Sequence, residues 1–286
     1  MSEKLLPKQF INLSSVISRS NSPIGIFDSG IGGLTVVKQF LACLPEEKIV
    51  YFGDTARVPY GSKSKATVIK FALQNLRFLL QFDPKLIVVA CNTISALALP
   101  LLRKETSLPV IGVLEPAVAK ALEITRNQRI GIIGTIATIR SKAYFHLIYR
   151  RRREISFFAR ACPLFVVLVE ENWLKGKIVE DICHYYLKEL KKNKVDTLIL
   201  GCTHYPLLKK IIRKEMGRKV SLVDSAEEVV RMSKEILKEG KLLVSRTKPA
   251  GHHFFFSDEV PNFRKISRQF LGRDFKAKII QVDQNV

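Results

Sequence analysis

The sequence predicts an α/β protein: two doubly wound parallel-sheet lobes related by internal pseudo-symmetry, with a shared cleft between them. Three observations carry this. From Pro23 onward, short apolar runs alternate with stretches of helical length. The runs are mostly apolar throughout rather than alternating, as expected of strands covered by helices on both faces. The third observation is an internal echo, in which Leu86-Ile-Val-Val-Ala-Cys91-Asn-Thr is matched later by Thr197-Leu-Ile-Leu-Gly-Cys202-Thr-His.

Taken in order, the expected strands are Ile24–Phe27, Ile49–Phe52, Leu86–Ala90, Val110–Val113, Ile130–Ile133, Phe165–Leu168, Thr197–Leu200 and Val220–Val223. Helix-length segments such as Lys65–Phe82 and Val179–Lys192 lie between them. In the echo each cysteine ends a strand and opens a helix. The next strand begins nineteen positions after Cys91, at Val110, and eighteen after Cys202, at Val220. Upstream, Ile24-Gly-Ile-Phe corresponds to Ile130-Gly-Ile-Ile. Such repetition points to two related lobes, the first 23–113 plus 224–286 and the second 114–223. Residues 1–22 read as a poorly ordered N-terminal extension, because serines interrupt their apolar residues and no signal-peptide cleavage site follows.

Composition narrows the class. At 286 residues, 47% hydrophobic and 26% charged, the chain has material for two cores. Forty-seven Lys and Arg against twenty-six Asp and Glu give a charge of +21. That field attracts anions, including nucleic acid, acidic lipid surfaces and small carboxylates. The basic residues are dispersed apart from Arg150-Arg151-Arg152-Arg153, which reads as a solvated helix end or loop. The five cysteines are an odd number, and no two stand closer than nineteen positions. That spacing excludes CxxC motifs, argues against a disulfide framework and leaves a reducing cytoplasm as the expected location. No apolar run reaches the length of a membrane span.

Cys43, Cys162 and Cys183 sit among apolar neighbours and read as small core hydrophobes. Cys91 and Cys202 differ. They stand at carboxyl ends of strands, where open parallel sheets bind ligands, and are followed by Asn92-Thr93 and Thr203-His204. A helix N-terminus at each cysteine would favour thiolate. Two thiols across a cleft suit inversion of a carbon centre, which needs a base on one face and an acid on the other. A Cys202–His204 nucleophile and a zinc site drawing on Cys91, Cys202 and His204 are weaker alternatives, since neither has supporting spacing. The segment Asp28-Ser29-Gly30-Ile31-Gly32-Gly33 is not a dinucleotide fingerprint, because Thr35 stands where the third glycine belongs. Its glycines let the backbone approach a small ligand. Asp28 is either a helix cap or a base assisting a thiol.

Together Phe27-Asp28-Ser29-Gly30-Ile-Gly-Gly-Leu-Thr-Val, Gly53-Asp-Thr-Ala-Arg-Val-Pro-Tyr60-Gly61, Ala90-Cys91-Asn92-Thr93 and Gly201-Cys202-Thr203-His204-Tyr-Pro-Leu resemble the motif set of the glutamate racemases. Gly134-Thr135-x-x-Thr138 and Pro163-Leu-Phe-Val-x-Leu-Val-Glu170-Glu171 fit the same pattern, with Val167 where that family usually has proline. The resemblance implies cofactor-independent interconversion of L- and D-glutamate in support of peptidoglycan synthesis. It implies Cys91 as the base towards D-glutamate, assisted by Asp28, and Cys202 as the base towards L-glutamate, assisted by His204 with Glu170 behind it. Asp28, Ser29, Tyr60, Gly61, Asn92, Thr93, Thr135, Thr138, Thr203 and His204 would hold the amino acid. It also implies a homodimer. The alternatives are an aspartate or broad-specificity racemase, or a racemase-fold binding protein whose basic surface meets nucleic acid or DNA gyrase.

Overall fold

The computed structural model describes residues 20–244, 251–260 and 263–280. The expectation for residues 1–22 therefore falls, as far as Arg19, outside the described residues. In chain order the strands are β1 (Ile24–Asp28), β2 (Ile49–Gly53), β3 (Leu86–Val89), β4 (Val110–Gly112), β5 (Arg129–Gly134), β6 (Ser156–Ala161), β7 (Thr197–Gly201), β8 (Ser221–Asp224), β9 (His253–Phe256) and β10 (Lys278–Ile279). They form a six-stranded sheet of order β10-β9-β2-β1-β3-β4 and a four-stranded sheet of order β6-β5-β7-β8. Every pairing is parallel.

The orders β2-β1-β3-β4 and β6-β5-β7-β8 are one topology used twice, so the internal echo is a structural repeat. The central strands are equivalent: Ile24 pairs with Ile49 and Leu86, Ile130 with Phe157 and Thr197. Cys91 and Cys202 each follow the third strand of its unit, at the carboxyl edge. Strands β1, β2, β3, β4 and β7 are buried along their whole length, which is why their sequences are apolar at nearly every position.

The helices are α1 (Leu34–Cys43), α2 (Lys65–Leu80), α3 (Asn92–Leu97), α4 (Leu99–Leu102), α5 (Leu114–Ile124), α6 (Ile136–Arg140), α7 (Ala143–Arg151), α8 (Leu164–Glu170), α9 (Lys177–Lys192), α10 (Lys209–Met216), α11 (Ser225–Glu239) and α12 (Phe263–Leu271). Three start on side-chain caps: Ser64 accepts from the Thr67 amide, Thr135 from Thr138 and Asp224 from Ala226. At the opposite end of the first sheet a buried Lys85–Glu47 ion pair (2.5 Å) fastens distant segments. Lys85 donates to the carbonyls of Ser20 and Leu242, and Glu47 accepts the Val244 amide.

Several expectations need correction. Phe165–Leu168 is not a strand but the middle of α8, which buries Phe165, Leu168 and Val169 and leaves Val167 exposed. A four-residue apolar run has no periodicity to separate the two states. The missing strand of the second sheet is β6, an edge strand only partly covered, so its sequence lacks the apolar run of the interior strands. Strands β9 and β10 also extend the first sheet beyond the expected set. Cys202 does not open an α-helix: a turn leads into a single 3-10 turn at Tyr205–Leu208 before α10 begins. Cys43 is exposed at the end of α1, whereas Cys162 and Cys183 are buried as expected.

Candidate active site

One half of the site grows out of β1. The chain turns at Asp28, whose Oδ2 accepts the amides of Gly30 (3.2 Å) and Gly33 (2.9 Å). Gly33 caps α1, and a side chain there would lie 2.5 Å from Asp28 Cβ, so the turn requires glycine. The Tyr51 hydroxyl donates to the Gly30 carbonyl at 2.6 Å and holds the turn from below. Asp28 thus does cap the loop into α1, but with one oxygen only. Its Oδ1 is buried and has no hydrogen-bond partner among the described residues. Burial raises the Asp28 pKa, opposed by the charge of His204 and by the amides of Gly33, Gly30 and Ser29.

Cys91 caps α3 at the end of β3, with its thiol 3.5 Å from Ser29 Oγ. Burial pushes that thiol up to about 12, and the Asp28 charge adds to the rise against the Ser29 hydroxyl and Ile94 amide. Against the expected preference for thiolate, desolvation at Cys91 favours the thiol. The charge of Cys202 pushes the same way.

The other half grows out of β7. Cys202 Sγ lies 3.8 Å from His204 Nδ1, and His204 Nε2 lies 3.0 Å from Glu170 Oε1 at the end of α8. The ring of Phe270, from α12, meets the imidazole edge to face at a centroid distance of 5.6 Å. Burial pulls the His204 pKa down, but hydrogen bonds and charges from Cys202 and Glu170 outweigh it and carry the imidazole to about 10. Cys202 and Glu170 together thus favour the protonated imidazole on this side of the cleft. A group raised in the folded state stabilises the fold fully below its unfolded pKa and loses that contribution as pH rises through the folded value. We expect the melting temperature of the wild type to fall more steeply than that of His204→Asn between about pH 6.5 and about pH 10. Parallel curves by differential scanning calorimetry would refute the imidazolium.

The two halves touch. Gly32 leaves room for the turn after β7, since a Cβ on it would lie 2.2 Å from Thr203 Oγ1 and 2.6 Å from the His204 ring. The Thr35 hydroxyl bridges the carbonyls of Gly32 (2.9 Å) and Thr203 (3.0 Å). Thr93 Oγ1 joins Thr135 (2.9 Å) and Thr138 (3.2 Å), which are themselves 2.9 Å apart, in a trio of hydroxyls spanning both lobes. Gly61 faces Thr135, with 2.7 Å between its would-be Cβ and Thr135 Cβ. Asn92 accepts from the Tyr144 hydroxyl at 2.7 Å.

The fold thus brings Asp28, Ser29, Cys91, Asn92 and Thr93 against Thr135, Thr138, Cys202, Thr203 and His204, with Glu170 behind the imidazole. Tyr60 precedes Gly61, and its ring is buried. Its buried hydroxyl donates to Asp54, while the Asn75 amide donates to it, so the side chain is engaged within the first lobe. Burial and the Asp54 charge raise its pKa, which keeps it a phenol. Tyr144, Ser225 and Phe270 escaped the sequence reading. Tyr144 and Phe270 lie in helices with no motif, and Phe270 reaches His204 from sixty-six positions away. Among the described residues no cluster of three or more His, Cys, Asp or Glu side chains could hold a metal ion, and no helix is long and apolar enough to cross a membrane. Within the arginine run, Arg151 turns inward to the Glu115 carbonyl (3.4 Å), Arg153 lies over the Tyr149 ring, and Arg150 and Arg152 are exposed.

Residues 33–233, which include both cysteines, match the family described as Asp/Glu/Hydantoin racemase. The chain belongs to that family. A glutamate racemase from Geobacter metallireducens is 51% identical over 249 residues, spanning 87% of this chain and 92% of the relative. Among solved structures, the glutamate racemase from Francisella tularensis in complex with D-glutamate superposes with a TM-score of 0.87 at 40% identity, covering 92% of this chain and 99% of that one. The racemase isoform RacE1 from Bacillus anthracis gives 0.89 at 38% identity, covering 92% and 98%. The racemase family fold, two parallel-sheet lobes around one cleft, is the fold of this chain.

Proposed function

We propose that the chain interconverts L- and D-glutamate without a cofactor, by moving protons between the substrate α-carbon and two thiols, and that it supplies D-glutamate for peptidoglycan precursors. The observation that carries this reading is the pairing of two buried thiols at equivalent strand ends of a repeated topology. Each thiol has its own polar assistant: Ser29 and Asp28 beside Cys91, His204 and Glu170 beside Cys202.

In the L-to-D direction Cys202, as thiolate, takes the α-proton while Cys91, as thiol, delivers a proton to the opposite face. In the D-to-L direction the roles exchange. The push on Cys91 to about 12 keeps it protonated at rest and so readies it as the acid of the L-to-D direction. The difficulty is the weak acidity of a carbon-bound proton beside a carboxylate. Charge developing on that carbon and carboxylate is met by the His204 imidazolium and by fixed hydroxyl and amide donors in a site that excludes water. The free Oδ1 of Asp28 is an acceptor for the substrate ammonium. The hydroxyls of Ser29, Thr93, Thr135, Thr138 and Thr203, with the Asn92 amide, are the donors for its carboxylates. The proposal includes a homodimer, which a monomer in sedimentation equilibrium would remove.

The test is polarimetric. Purified, reduced protein should drive the optical rotation of L-glutamate, and equally of D-glutamate, to zero without added metal or organic cofactor. Aspartate should turn over at least about tenfold more slowly, since its shorter side chain leaves carboxylate donors unpaired. Unchanged rotation with glutamate would overturn the reading. Equal rates on both amino acids would move it to a broad-specificity racemase.

A further inference from the structure

Tyr144 enters neither half of the reaction described above, yet its hydroxyl is buried in the wall between the two lobes. It belongs to a chain of hydrogen bonds whose direction can be worked out. The Ser225 hydroxyl donates to the Leu200 carbonyl at 3.2 Å, which leaves its oxygen free to accept. The Asn92 amide nitrogen donates to that oxygen at 3.5 Å. Asn92 Oδ1 therefore faces the other way, where it accepts from Tyr144 at 2.7 Å. Burial, with the Cys202 charge adding to it, raises the Tyr144 pKa, so the phenol keeps the proton it donates.

Both ends of this relay lie on the Cys202 side. Leu200 stands on β7 two residues before Cys202, and Ser225 opens α11 immediately after β8. The middle lies on the Cys91 side, because Asn92 directly follows the thiol in the chain. Leu200, Ser225 and Tyr144 thus grip from both sides the turn that carries Cys91. A carboxamide can rotate about its terminal bond and offer either oxygen or nitrogen to the cleft. Here Ser225 requires a donor and Tyr144 requires an acceptor, so only one orientation satisfies both.

We propose that Tyr144 is a positioning residue: it fixes the orientation of the Asn92 carboxamide and so holds the Cys91 turn in register with Cys202. This rests on the glutamate reading and adds to it a residue that touches no substrate atom. Tyr144→Phe keeps the ring and removes only the hydroxyl. Because a buried acceptor then loses its partner, KM for both enantiomers and the calorimetric Kd for L-glutamate should rise about tenfold, with a smaller change in kcat. The discriminating arm is the same substitution made in Asn92→Ala protein. If Tyr144 works through Asn92, it has no further effect there.

Unchanged KM and Kd in Tyr144→Phe, whatever its melting temperature, would overturn the proposal. So would an equal fold-loss in the Asn92→Ala background, which would mark Tyr144 as a packing residue alone. The wild type separates the two levels. If it neither binds nor racemises glutamate, the substrate reading fails and this inference with it. If it does both and Tyr144→Phe matches it, only Tyr144 is wrong.

Discussion

Cys202→Ser should leave a folded protein in which L-glutamate is inert and D-glutamate still exchanges its α-proton with solvent, while racemisation falls by about 10³-fold or more. Cys91→Ser should show the mirror image. The physical reason is that, in the proposed mechanism, each thiol serves one face of the substrate, and the ordinary thiol pKa lies far closer to neutrality than that of a serine hydroxyl. Neither substitution removes a packed side chain of any size, so melting temperatures should stay close to the wild type. Proton exchange of each enantiomer in deuterated buffer reads the outcome directly. If either variant kept more than about a tenth of the wild-type rate, or exchanged both enantiomers alike, the opposed-thiol arrangement would not be the chemistry of this site.

Asp28→Asn carries the second large effect. Its Oδ2 anchors the turn into α1 by accepting the Gly30 and Gly33 amides, and an asparagine oxygen can accept both. What the substitution removes is the negative charge and the second acceptor oxygen, which is buried and without a partner among the described residues. We expect kcat/KM to fall about 10²-fold or more with little change in stability. Asp28→Ala should lose activity as well and, by stranding two buried amides, also destabilise the fold by about 1–3 kcal/mol. Near-normal activity in Asp28→Asn would reduce Asp28 to a turn anchor. Loss of stability in both variants alike would mean that the charge itself holds the loop.

The repeat was legible because both lobes place a buried strand before each cysteine, and buried parallel strands are apolar at nearly every position. It failed where burial is partial. Strand β6 sits at a sheet edge and carries only half-covered side chains, so Ser156–Ala161 has no strand signature, whereas the apolar Phe165–Leu168 turned out helical. The candidate reactive groups were legible for a different reason: Asp28, Cys91, Cys202 and His204 lie within short motifs at strand ends. Their protonation was not. The preference of Cys91 depends on burial by residues from many segments and on the Asp28 charge, neither of which adjacency in sequence reveals. The motif names Tyr60 without saying where its hydroxyl points, and Asp54 accepts it. Tyr144 and Phe270 act through contacts that only the folded chain creates.

The central claim is that one thiolate takes the substrate α-proton while the opposite thiol delivers a different one, and it can be tested in a single NMR experiment. L-Glutamate incubated with reduced protein in deuterated buffer should give D-glutamate that carries α-deuterium from the first turnovers. The L-glutamate not yet converted should still carry its α-proton. D-Glutamate that kept the original α-proton would mean that one group both removes and returns it, and would contradict the two-thiol account. Absence of any α-exchange in folded, reduced protein would contradict the racemase reading as a whole.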